Sequence, residues 1–159
     1  MTTPTTSPPI DVERLRAQLR GQVITSDDAE YDTARKVFHG AYDRRPGAIV
    51  RVADARDVAE VIAAAREHGV ELAVRSGGHS NAGHGTTDGG LVLDLRGMKA
   101  LEIDADARTA WADSGLTAGE YTTAAAAHGL VTPFGDTGSV GLGGITLGGG
   151  VGYLVRKHG

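Results

Sequence analysis

The chain has 159 residues, a formal net charge of −4, a pI near 5.8 and no cysteine. That length suits one globular domain of ordinary size. The acidic balance argues against a nucleic-acid binder, which needs a basic face, and the missing thiols exclude disulfides, zinc-thiolate sites and cysteine nucleophiles. No apolar run approaches the roughly 18 residues needed to span a bilayer. Met1–Pro9 has neither the basic start nor the apolar middle of a secretion signal, so a short disordered tail and a cytoplasmic location are expected. Glycine is the anomaly: 24 residues is about twice average usage. Most of them crowd into two stretches, as binding loops do and linkers do not.

In chain order the pattern is α+β. Val12 to Arg20 reads as a short helix with Leu15 and Leu19 on one face. A second helix is expected from Ser26-Asp27, carrying Ala29, Thr33 and Val37. Asp43-Arg-Arg-Pro46 is a turn, and Ala48 to Val52 a strand. Asp54 is placed to cap a strong helix over 56–68, with Val58, Val61, Ile62 and Ala65 at helical spacing and Gly69 ending it. Strands follow at 71–75 and 91–95, with a glycine loop between them. Leu101–Ile103 and Thr109–Ala112 read as a hairpin turning at Asp104-Ala-Asp106. Thr117 caps a further helix through Ala127, closed by Gly129. Residues 140–152 are expected as a glycine-rich loop, leading into a short helix from about Gly152. Trp111 and Ala124–Ala127 are expected in the core. Arg44 and Arg45 are expected at the solvated surface, Asp94 and Asp136 as structural acceptors.

The chemistry lies in the two glycine stretches. Arg75-Ser-Gly-Gly-His79-Ser80-Asn-Ala-Gly83 follows directly on an apolar strand. Without Cβ atoms in the way, backbone N–H groups there can converge on an anion, and His79 stands among them as a nucleophile or ligand. The second stretch is Val140-Gly-Leu-Gly-Gly-Ile-Thr-Leu-Gly-Gly-Gly150-Val-Gly152. Two such clamps can hold two parts of one large ligand. Three better-known motifs fail. The dinucleotide fingerprint started at Gly141 or Gly148 meets Thr146 or Tyr153 where its third glycine belongs. No glycine precedes the Lys-Ser or Lys-Thr of a triphosphate loop. Gly78-His-Ser80-Asn-Ala82 comes near a nucleophile elbow, but an elbow must run straight into a helix, and Gly83 to Gly90 cannot form one. A serine hydrolase using Ser80 is therefore a remote alternative. His79 and His84 lack the helical spacing of a metal pair, so no metal is expected.

Taken together, Arg75-Ser-Gly-Gly-His79-Ser80 with Gly83, the run Leu91–Leu95, and Val140-Gly-x-Gly-Gly-x-Thr-Leu-Gly-Gly-Gly-x-Gly152 closely resemble the FAD-linked oxidases of the vanillyl-alcohol-oxidase/p-cresol-methylhydroxylase fold. The berberine-bridge-enzyme-like branch, in its bacterial members, is the nearest. Asp43 to Arg51 belongs to the resemblance too. It implies a PCMH-type FAD-binding domain over 43–159, small sheets flanked by helices, preceded by a disordered tail and N-terminal helices over 1–42. It places Ser76, Gly77, Gly78, His79 and Ser80 on the pyrophosphate, with Gly83 closing the loop and Arg75 offsetting phosphate charge. It makes His79 the residue bonded covalently to the 8-methyl of the isoalloxazine ring, a link that raises the ring's redox potential. Gly141, Gly143, Gly144, Thr146, Gly148, Gly149, Gly150 and Gly152 then lie along the ring and ribityl chain. Bicovalent members carry a cysteine at the position of Thr137, whose hydroxyl is too weak a nucleophile for a second link. Val140 stands where valine accompanies reaction with oxygen. The implied reaction is hydride transfer from an alcohol-like small-molecule substrate to FAD and on to oxygen or another acceptor. Members run several hundred residues longer, so the resemblance implies the N-terminal part of such an enzyme, completed by a C-terminal domain or a second copy. The catalytic base is expected outside this chain. The alternative is a non-catalytic FAD-binding fragment that needs a partner chain.

Overall fold

The computed structural model describes residues 10–158, so the expected N-terminal tail lies outside the described residues. Its frame is a four-stranded sheet in the order β1-β2-β4-β3. The strands are β1 (Gln22–Ile24), β2 (Ala48–Arg51), β3 (Leu72–Arg75) and β4 (Leu91–Asp94). β1 runs antiparallel to β2, and both β2 and β3 run parallel to β4. Parallel strands are covered on both faces, which is why β2 and β4 read as unbroken apolar runs rather than alternating ones. Ala48, Val50, Leu91 and Leu93 share one cluster with Val61 and Ala65 of helix α3 (Ala55–His68) and Leu15 of helix α1 (Val12–Gln18). Ile49, Val92, Ala73 and Ile24 point the other way, against Tyr31 and Ala34 of the short helix α2 (Tyr31–Ala34). The stretch before residue 43 thus contributes a strand and helices to the same core.

Helix α3 forms as its end signals require. The Asp54 carboxylate accepts from the Arg56 and Asp57 backbone N–H groups, and Gly69 ends the helix at φ 61°. Asp57, the third residue of the helix, is almost fully buried yet satisfied. Its carboxylate accepts from the backbone N–H of Arg20 (3.0 Å), Gly21 (2.8 Å) and Ala53 (3.0 Å), tying the α1–β1 connection to α3. After β4 a short 3₁₀ turn leads into the hairpin β5 (Leu101–Asp104) and β6 (Thr109–Ala112). Helix α4 (Ala118–Ala126) starts with a full capping box between Thr117 and Glu120. Helices α5 (Leu142–Gly148) and α6 (Val155–His158) complete the described chain. Among the described residues no helix is long and apolar enough to cross a membrane.

Five expectations are corrected. β1 was not anticipated, because three residues are too few to show a period. The helix expected from Ser26 shrinks to Tyr31–Ala34. The Asp28 carboxylate accepts from the Thr25 backbone N–H (2.8 Å) and hydroxyl (3.0 Å), making a turn before any helix can start. Residues 142–148, expected as loop, form α5 despite three glycines among seven residues, since tertiary contacts override weak propensity. Trp111 is 83 % exposed rather than core, because the two-stranded β5–β6 sheet leaves one face open. The final helix starts at Val155 rather than near Gly152.

Asp57→Ala removes the acceptor for three backbone donors at once. A loss of about 2–4 kcal/mol is expected, seen as a lower urea midpoint with an unchanged slope.

Candidate functional site

The site starts where two parallel strands end. Arg75 closes β3 and Asp94 closes β4, paired in register. Both side chains are buried, and Arg75 Nη2 donates to Asp94 Oδ2 at 3.0 Å. The same carboxylate accepts from Arg96 through Nη2 at 2.7 Å and Nε at 2.9 Å, and Arg51 Nε stands 3.6 Å away. One buried carboxylate therefore faces three guanidinium groups. Burial pushes the Asp94 carboxyl upward, but the hydrogen bonds and charges of Arg96 and Arg75 outweigh it and hold it below its usual 3.8. Burial likewise pulls Arg75 below its ordinary value, with Asp94 opposing. Asp94 leaves Arg75 only partly satisfied: Nε and Nη1 are buried without a protein partner. The Arg75 stem runs beneath the glycine loop, within van der Waals distance of the Cα substituent positions of Gly78 and Gly85.

Above this base the two glycine stretches meet. A Cβ on Gly77 would overlap the backbone nitrogen of Gly141, and a Cβ on Gly141 would overlap that of Gly77. Only two glycines let the backbones come this close. The Ser76 hydroxyl donates to the Ser114 carbonyl at 2.5 Å and pins the start of the loop. Beyond this contact the stretches diverge around an open cavity of about 540 Å³, within the range of small-molecule and cofactor sites. On one side Arg75, Ser76, Gly77, Gly78, His79 and Ser80 line it, with Asn81, His84 and Gly85. On the other side stand Thr137, Val140, Gly141, Gly144, Gly149 and Gly150, with Gly135, Asp136, Ile145 and Val151 beside them.

The remaining expected residues lie apart from the cavity lining. Gly83 sits under the Tyr42 ring, where a Cβ would clash. Gly143 packs on Ser114, and Gly152 lies close against the Phe134 carbonyl. The Thr146 hydroxyl donates to the Leu142 carbonyl at 2.8 Å within α5, and Gly148 meets nothing nearby.

His79 is half-buried on the first loop and held from two sides. Its ring stacks on Phe38 with centroids 4.1 Å apart and planes inclined by 17°. Its Nε2 lies 3.1 Å from the Ser139 hydroxyl. The segment carrying Phe38 is strapped over the loop: Phe38 N–H donates to the Gly78 carbonyl (3.1 Å), Tyr42 to that of Asn81 (2.8 Å), and Arg44 to those of Gly83 (3.2 Å) and Thr86 (2.8 Å). Arg44 is therefore a structural donor, whereas Arg45 stays largely solvated. Sequence reasoning missed Phe38 and Ser139. Ser139 carried a usable signal, since it adjoins Val140 in the second stretch; Phe38 carried none. Ser80 accepts from the His84 backbone N–H at 3.2 Å, and turns rather than a helix follow it, so the geometry of a hydrolase elbow is absent. Among the described residues no cluster suited to a metal ion occurs.

Residues 46–159 match the FAD binding domain family model. The (R)-6-hydroxynicotine oxidase of Paenarthrobacter nicotinovorans is 40 % identical over 141 residues, 89 % of this chain and 31 % of its own length. Berberine bridge enzyme-like 27 of Arabidopsis thaliana is 38 % identical over 120 residues, 72 % of this chain and 22 % of its own. The crystal structure of 6-hydroxy-D-nicotine oxidase from Arthrobacter nicotinovorans superposes with a TM-score of 0.86 at 39 % identity, over 89 % of this chain and 31 % of that one. The chain spans a third or less of these relatives' length.

Asp94→Asn leaves three guanidinium groups around a neutral amide, and a loss of about 3–5 kcal/mol is expected by urea unfolding. Because its folded-state pKa lies below 3.8, Asp94 contributes stability that is present above that value and lost as pH falls through the folded pKa. Wild-type stability should fall with acid below about pH 4, and more steeply than that of the Asp94→Asn variant.

Proposed function

We propose that this chain, which belongs to the FAD binding domain family and to the FAD-linked oxidoreductases of berberine-bridge-enzyme-like type, holds the flavin in the cavity between its two glycine stretches, with His79 as the covalent tether. The observation that carries the reading is the cavity itself. It has ligand-sized volume, walls free of side chains where the two loops meet, and a buried guanidinium beneath the first loop with two nitrogens that lack a protein partner. A buried donor without a partner costs about 1–3 kcal/mol. That buried positive charge beneath a loop without side chains favours an anionic group above it, so the residues present fit a phosphate-bearing ligand.

When bound, FAD supplies the acceptor for a hydride from an alcohol-like small-molecule substrate, with oxygen or another acceptor downstream. The chain's own groups hold and orient. Ser76–Ser80 present backbone N–H groups to the pyrophosphate, and Arg75 offsets its charge from beneath. A nitrogen of the His79 imidazole fixes the ring edge. Gly141, Gly144, Gly149 and Gly150 leave room along the opposite wall. Thr137 offers no thiol, so a single covalent link is proposed, and Val140 favours oxygen as acceptor. The cysteine-free composition is in keeping with a cytoplasmic protein. Substrate specificity and the proton acceptor are assigned to groups outside these residues.

Incubation of the purified chain with FAD is expected to give a yellow polypeptide that keeps its colour through acid precipitation and gains the mass of one flavin. His79→Ala should lose the acid-stable colour while still binding FAD reversibly. A colourless chain, indifferent to FAD, would overturn the proposal. Gly141→Ala should weaken FAD binding at least tenfold in a fluorescence titration, because the added methyl drives the loops apart.

A further inference from the structure

Ser139 reaches across sixty positions of sequence to touch the histidine of the other loop. The contact exists because Gly77 and Gly141 bring the loops together, and the Ser139 carbonyl itself lies against the Gly77 position. A neutral imidazole carries one N–H and one lone pair. With Nε2–H donating to Ser139 Oγ, the ring's only donor is satisfied. In the opposite tautomer the hydroxyl would donate to an unprotonated Nε2, and the ring proton would sit on Nδ1, which has no hydrogen-bond partner among the described residues. Phe38 stacks on the same ring and limits its rotation, and is itself fixed by its backbone bond to Gly78.

From this geometry we infer that Ser139 is a positioning residue that selects the Nε2–H tautomer of His79, while Phe38 sets the plane of the ring. The lone pair is thereby kept on Nδ1, the nitrogen left open to a ligand. Ser139 touches neither cofactor nor substrate in this role; it acts through His79. The inference rests on the proposed contact between His79 and the flavin only for its consequence. The tautomer itself is a property of the chain alone.

The test uses the ¹⁵N-labelled chain without added FAD. Multiple-bond ¹⁵N–¹H spectra of the imidazoles report the tautomer, and the His79 signals are assigned by their loss in His79→Asn. The wild-type chain should show the Nε2–H pattern. In Ser139→Ala the ratio of Nε2–H to Nδ1–H should fall about fivefold, as expected for loss of one ordinary hydrogen bond. Ser139→Thr, which restores the hydroxyl, should return the ratio towards wild type. Ser139 is exposed, so neither substitution empties a packed site. An unchanged ratio in Ser139→Ala, or a change that threonine does not reverse, overturns the inference. A parallel reading of acid-stable flavin separates this from the tether. Less acid-stable flavin in Ser139→Ala with rescue in Ser139→Thr supports both. No acid-stable flavin in any variant, together with a tautomer shift, rejects the covalent link and upholds the role of Ser139.

Discussion

Two backbones touch at Gly77 and Gly141, more than sixty positions apart, with no room for a side chain on either. That approach organises the rest of the site. It seats Ser139 against His79, and beyond it the two stretches separate around the cavity. Close packing transmits even a methyl group's displacement, so this crossing is the least forgiving place in the chain. Its glycines are needed for space, quite apart from any backbone freedom.

Beneath the crossing lies an electrostatic arrangement that is unusual for a small core. Asp94 and Arg75 end adjacent parallel strands and are both buried, and Arg96 and Arg51 add positive charge around the same carboxylate. Such a pair is a poor source of net stability, since desolvation consumes most of the attraction. It does fix where β3 ends and hence the direction in which the glycine loop leaves the sheet. It also leaves guanidinium nitrogens without a protein partner beneath the loop that borders the cavity. A core built for stability alone would have satisfied them. The arrangement makes sense when an acceptor-rich ligand belongs above it.

The strap over residues 38–45 adds a third component. Phe38, Tyr42 and Arg44 each bind a different point of the first loop, mostly through its carbonyls. The strap thus takes up the loop's carbonyls, which suits a loop whose N–H groups are proposed to serve a phosphate. The strap lies just before the residues matched by the family model, which start at 46. The histidine at the centre of the site is therefore held in part by a segment that precedes the matched family model.

Local signals settled much of this protein in advance. The caps at Asp54, Gly69 and Thr117, the apolar runs of β2 and β4, and the two glycine stretches on either side of the cavity were all legible, because each depends on neighbours close in sequence. The α+β class followed from the same signals. Other features were not legible, for reasons of distance. β1 exists as a strand only through its pairing with β2, and α5 holds three glycines in helical form only inside the assembled fold. Trp111 is exposed because its hairpin has no layer on that face. Phe38 and Ser139 became site residues because folding brings residues from both flanks of the sequence onto one imidazole. Residue order thus determined which segments can turn, cap, extend or approach closely. Only the tertiary structure decided which of them meet, since contacts between distant segments depend on the packing of the whole core.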